Sequence, residues 1–165
     1  MKETIDKIVE RISFAEKEKF TELLKKCLHI SKDSKKSTYA TEDNVCFKID
    51  TLFKGFKPFL YACGKDKEYE SGVEALSIIC DEIGIEIEKE ELFILFHVRD
   101  IGKFRKKEAA LHSELKAIWK SYPHYELEDK EFSYALKNLM RKKLIKYRRG
   151  SVHLIPSVIL SYRQS

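Results

Sequence analysis

Residues 91–98, Glu-Leu-Phe-Ile-Leu-Phe-His-Val, are apolar around most of a helical circumference. A helix of that kind has to be covered on two sides. Across "KEELFILFHVRDIGKF", residues 89–104, the apolar surface comes from Leu92, Phe93, Leu95, Phe96, Val98 and Ile101. Such a segment belongs at a seam between the two parts of the chain that flank it. The expected organisation is a helical region over 1–88 and a second unit over 89–165.

Charge divides at nearly the same place. Residues 101–165 hold 15 Lys and Arg against 6 Asp and Glu, a surplus of nine positive charges, whereas residues 1–100 hold 17 against 21, a deficit of four. The net +5 of the whole chain therefore conceals a basic C-terminal third. A domain that meets a polyanion shows this asymmetry, and so does a charged face that maintains solubility.

Hydrophobic residues make up 43% of the 165, enough for a real core, and three prolines and six glycines without low-complexity tracts imply an ordered chain. The amphipathic, acid-bearing start "MKETIDKIVERISF" lacks the apolar core of a secretory signal, and no apolar run approaches the roughly 18 residues of a membrane span. A cytoplasmic protein that does not engage membranes is expected. Cys27, Cys46, Cys63 and Cys80 lie 17 to 19 residues apart with no C-x-x-C and with apolar neighbours, which reads as free thiols packed in a core.

Periodicity in the first 88 residues is mostly helical. Ile5, Ile8, Val9 and Ile12 share a face; Ser13 and Glu16 have the spacing of a capping box ahead of a second helix with Phe14, Phe20, Leu23, Leu24, Cys27 and Leu28 on its stripe. Residues 31–44 are polar and aperiodic and read as a surface loop. Val45, Ile49, Leu52, Phe53 and Phe56 favour a helix ending near Pro58, over a competing strand through 45, 47 and 49. Val73, Leu76, Ile79, Cys80 and Ile83 mark a further helix that Gly84 can cap, and "IEIEK" comes next as an edge strand or linker.

Beyond the seam, Ala109, Leu111 or His112, Leu115, Ile118, Trp119 and Tyr122 form a stripe that Pro123 ends. Asp129 can cap another helix with Phe132, Ala135, Leu136, Leu139 and Met140 inward, leaving Ser133, Tyr134, Lys137, Asn138, Arg141 and Lys142 outward. None of those six is acidic, and Lys137, Asn138 and Arg141 lie on adjacent turns that a major groove can admit. The chain then runs into a hairpin in which Ile145 faces Leu154 and Tyr147 faces Val152, with Lys146 opposite His153 and Arg148 opposite Ser151. Its tip is either the two-residue Arg149-Gly150 or a four-residue loop over 148–151.

Helix, helix, helix and basic hairpin in this order over 91–156 resembles the winged-helix form of the helix-turn-helix superfamily. The resemblance is carried by "DKEFSYALKNLMRKK", by the "LI" directly after it and by "KYRRGSVHLIP". It departs from the family in a long second helix and in the long bridge "SYPHYELED". It implies that the third helix enters a groove and the wing tip meets the backbone, so that Ser133, Tyr134, Lys137, Asn138, Arg141 and Lys142 would contact bases or phosphates and Arg148 and Arg149 would be wing contacts.

No catalytic constellation stands out. His29, His97, His112, His124 and His153 are scattered, and the P-loop, G-x-S-x-G and H-E-x-x-H patterns are absent. Glu114-Leu115-Lys116 has the acid-x-lysine form of some nucleases, but it falls on a helix without a preceding acid-bearing strand and reads as a solvated face. His97 reads as a satisfied core histidine. The expectation is therefore a mainly α protein, not an enzyme and without metal or cofactor: an N-terminal helical bundle followed by a winged-helix-like, nucleic-acid-binding unit, with duplex DNA the favoured partner and a regulatory role. The rival is an adaptor that binds protein, or a second copy through the N-terminal region, supported by Tyr122, Tyr125, Tyr134 and Tyr162.

Overall fold

A computed structural model describes residues 1–30, 43–64, 67–99, 105–121 and 128–162. In order, these form α1 (Lys2–Arg11), α2 (Lys17–Cys27), β1 (Leu28–Ile30), β2 (Asp43–Phe47), α3 (Ile49–Ala62), α4 (Glu68–Glu82), α5 (Lys89–Arg99), β3 (Arg105–Lys107), α6 (Glu108–Trp119), α7 (Asp129–Arg141), β4 (Ile145–Arg148), β5 (Ser151–Leu154) and β6 (Val158–Tyr162). The protein is mainly helical, and among the described residues there are two small antiparallel sheets in the orders β1-β2-β6 and β3-β5-β4. Among the described residues, no helix is long and apolar enough to cross a membrane.

The all-round apolar segment is α5, buried at every residue from Glu91 to Val98. It packs against α3 and α4 from the first half and against α6, α7, β3 and β5 from the second. One apolar cluster runs from Ile5 to Val158 without a break at residue 88. The chain also crosses back over that point, because β6 pairs antiparallel with β2, Val158 opposite Phe47 and Tyr162 opposite Asp43. Gly72 of α4 lets the Phe96 ring of α5 lie directly on its backbone, where a methyl group would overlap the ring. Gly72→Ala is expected to destabilise by about 1–3 kcal/mol through overpacking, despite alanine's better helix propensity. The urea midpoint reports it; an unchanged or raised midpoint would mean that Phe96 swings aside freely.

Several local expectations give way to long-range packing. The Ser13 capping box does not form: α2 starts at Lys17 after an N-cap at Glu16 that makes no side-chain bond. Phe14 instead turns into an aromatic cluster, its ring 5.2 Å from Phe20 and 5.5 Å from Phe59, which holds the preceding connection out of helix. Residues 43–47 are strand rather than helix because β1 and β6 pair with them on both sides. Pro58 does not end α3, which continues to Ala62. The lost hydrogen bond and clash cost about 3 kcal/mol, and burial of Phe59 and Leu60 beyond the proline offsets them. Residues 85–88 form a linker, not a strand. Gly84 does cap α4: at φ +81° it lets Ile85 donate to the Cys80 carbonyl at 2.8 Å.

Neither β3 nor β6 is legible as a strand in the sequence. Of the expected loop over 31–44, residues 43–44 belong instead to β2, while 31–42, like Ile101 and the bridge carrying Tyr122, Pro123 and Tyr125, lie outside the described residues. Cys27 and Cys80 are buried free thiols, and burial pushes both up to about 12, while Cys46 and Cys63 are free and half-buried.

Candidate nucleic-acid interface

Helix α7 is placed by its inner face: Phe132, Ala135, Leu136 and Leu139 are buried. Met140, expected to join them, is 38% exposed, because the i+4 step from Leu136 carries it to the edge of the stripe. Asp129 opens the helix but makes no cap bond. Its carboxylate accepts from Lys116 Nζ of α6 at 3.0 Å, a bond that holds it below the usual carboxylate range and ties the two helices together.

The end of α7 explains how a helix reaches a strand with no spacer. Lys143 takes a left-handed conformation, φ +59°, donating to the Met140 carbonyl at 3.0 Å while Leu144 donates to that of Leu139 at 3.0 Å. This closes the helix in one residue and starts β4 with Leu144 and Ile145 buried. The hairpin has the anticipated register: Ile145 pairs with Leu154, Lys146 with His153, Tyr147 with Val152 and Arg148 with Ser151. Its tip is the two-residue form, with Arg149 at φ +51° and Gly150 at φ +75°. Positive φ at both positions matches the twist of the flanking strands, and Arg149 bears the cost of a conformation that favours glycine. The tip is held from outside the hairpin, since Glu108 donates its backbone N–H to the Gly150 carbonyl at 3.0 Å and accepts from the Tyr147 hydroxyl at 2.7 Å. That bond pushes the Tyr147 phenol up.

The eight residues expected to contact nucleic acid separate into three groups. Ser133, Lys137 and Arg141 lie on one exposed stripe of α7, and Arg148 and Arg149 are exposed on the wing. Among the described residues, none of the four cations in this group has a hydrogen-bond or ion-pair partner. Tyr134 and Asn138 lie on a different stripe. They line a cleft of about 380 Å³ whose other lining residues include Glu86, Glu88, Glu90 and Glu131. Carboxylates so placed oppose phosphate approach on that flank.

Lys142 stands alone, and here the expectation is corrected. Its ammonium turns inward to Glu91 of α5, 2.8 Å from Oε2 and 3.1 Å from Oε1. Glu91 is 1% exposed and also accepts the Glu88 backbone N–H at 2.6 Å. The carboxylate thus caps the start of α5 and neutralises the lysine at the end of α7, so Lys142 is a structural cation.

Two further cations are not evident from the sequence as contacts. Lys143 and Lys107 are exposed next to the wing, Lys143 at the turn into β4 and Lys107 in the strand β3. The spacing that signals a three-residue strand is too short to recognise before its partner is known. Glu114 and Lys116 are exposed on α6, as a solvated face requires, but Glu114 also bonds the buried His97 at Nε2, 2.7 Å away, and His97 Nδ1 faces the Tyr69 hydroxyl at 2.5 Å, joining α4, α5 and α6. In comparisons with known protein families, curated proteins and solved structures, the chain matches none.

Proposed function

We propose that residues 89–155 form a winged-helix unit of a cytoplasmic regulatory protein that docks on duplex nucleic acid, DNA above all. In this reading α7 presents Ser133, Lys137 and Arg141 to a groove, and Arg148 and Arg149 approach the backbone from the wing. The observation that carries it is the fate of the cations between residues 137 and 149. Lys137, Arg141, Lys143, Lys146, Arg148 and Arg149 are all exposed and, among the described residues, unpaired. Elsewhere some surface cations are neutralised locally, as in Lys7–Glu3, Lys19–Glu16 and Lys25–Glu22, and others such as Lys57, Lys120 and Lys130 stand exposed singly; what sets 137–149 apart is six such cations within 13 residues. Three helices and a hairpin in the order the resemblance implies support the same reading.

Docking of this kind displaces counterions from the duplex. With about six phosphates neutralised, the slope of log K against log salt is expected near −5, about −0.9 per phosphate. Fluorescence anisotropy with a random-sequence duplex between 50 and 200 mM salt measures it. No detectable binding at 50 mM salt would remove this function.

One observation favours the adaptor alternative. Tyr134 is 64% exposed at the rim of the acidic cleft, where an aromatic ring beside carboxylates suits a basic protein segment. A chain that ignores duplex, and whose mass by light scattering rises with concentration, would support self-association.

A further inference from the structure

We propose that the outer face of the sheet β3-β5-β4, and not its hairpin tip alone, is a phosphate-binding surface that lies along the duplex backbone. The inference rests on the duplex reading above and assigns that interface a second element. Register is its basis. Arg105 of β3 and Lys146 of β4 both pair with His153 of β5, and Lys107 and Arg148 both pair with Ser151. Alternate residues of a strand belong to opposite faces. By register, the rows Arg105–His153–Lys146 and Lys107–Ser151–Arg148 therefore occupy one face, and Ile145, Val152 and Leu154, all buried, the other.

Four of the six positions on that face are Lys or Arg, the others are His and Ser, and none is acidic. Lys107, Lys146 and Arg148 are exposed and make no ion pair among the described residues. Strands lie about 4.8 Å apart and same-face residues about 6.8 Å apart along a strand, so the grid measures roughly 10 by 7 Å. Residue types of this kind are suited to phosphate and sugar oxygens, which position a protein without reading sequence. Charge of one sign is costly to hold together on a sheet. The arrangement reduces that cost by placing Ser151 and His153 between the flanking cations, yet it supplies no carboxylate, unlike the mixed surfaces of α1 and α2. A face kept positive in this way is one matched to an external polyanion.

The test uses the full chain carrying Lys107→Ala together with Lys146→Ala, two residues outside the groove-facing stripe of α7 and the wing tip. On random-sequence duplexes, the salt slope is expected to become shallower by about 1.8, equivalent to roughly 60-fold weaker binding at 0.1 M salt. The loss should be the same on duplexes of different sequence. The pair Lys19→Ala with Lys25→Ala on α2, an equal change of charge, should leave binding within about twofold. If wild type binds and the sheet-face variant keeps the wild-type slope, or the α2 variant loses as much, the sheet face is not a contact while the duplex reading stands. If wild type does not bind duplex, both fail. Lys107→Gln with Lys146→Gln preserves much of the side-chain length and gives the same readout should the alanine variant unfold early.

Discussion

Replacing Arg141, Arg148 and Arg149 together by alanine is expected to weaken duplex binding by roughly 10²–10³-fold at 0.1 M salt and to make the salt slope shallower by about 2.7. The three guanidinium groups share two features that make this variant informative. Each is exposed, and none bonds another described residue, so their removal breaks no contact that holds the fold. Surface changes of this kind stay within about 0.5 kcal/mol of wild type per site, and the unfolding midpoint should barely move. Loss of binding at unchanged stability would locate the interface on the α7 stripe and the wing. Wild-type affinity in the triple variant would place any duplex contact elsewhere on the molecule.

Lys142→Ala should do the reverse. Although only one residue from Arg141, Lys142 neutralises a carboxylate that is 1% exposed. Removing the ammonium leaves the Glu91 charge buried against the Glu88 backbone N–H of the same cap. Breaking a buried pair from one side costs about 3–5 kcal/mol, a large fraction of the stability of a small domain. The urea midpoint should therefore fall steeply. The double variant Glu91→Gln with Lys142→Met should recover much of the loss, since the buried charge is then gone from both sides. Duplex binding by the folded fraction should keep the wild-type salt slope. A Lys142→Ala protein of normal stability whose slope becomes shallower by about 0.9 would instead restore Lys142 to the binding surface.

The contrast between adjacent residues shows where sequence reading stops. Arg141 and Lys142 are chemically alike and sit side by side on an amphipathic helix. A carboxylate 51 residues earlier separates them, and periodicity within the helix cannot reveal it. The same holds for Tyr134 and Asn138. Helical period puts both on the solvent side of α7, and only the placement of Glu86, Glu88 and Glu90 beside them marks that stripe as acidic. By comparison, the hairpin's pairing is legible, although the two-residue form of its tip is not. Its pairing depends on side chains within ten residues of one another, and Tyr147 opposite Val152 fixes the register locally.

From its sequence alone, this protein is mainly helical, concentrates cations in its last third, buries a segment on two sides at 91–98 and ends in a basic hairpin centred on 148–151. Those properties arise from interactions short in range, namely helical period, strand alternation and turn chemistry. The tertiary structure decided that 43–47 is a strand, that α3 passes through Pro58, that β6 returns to the first half, and which cations remain free. Each of these depends on a partner far away in the chain, whose burial or charge outweighs a local preference of a few kcal/mol.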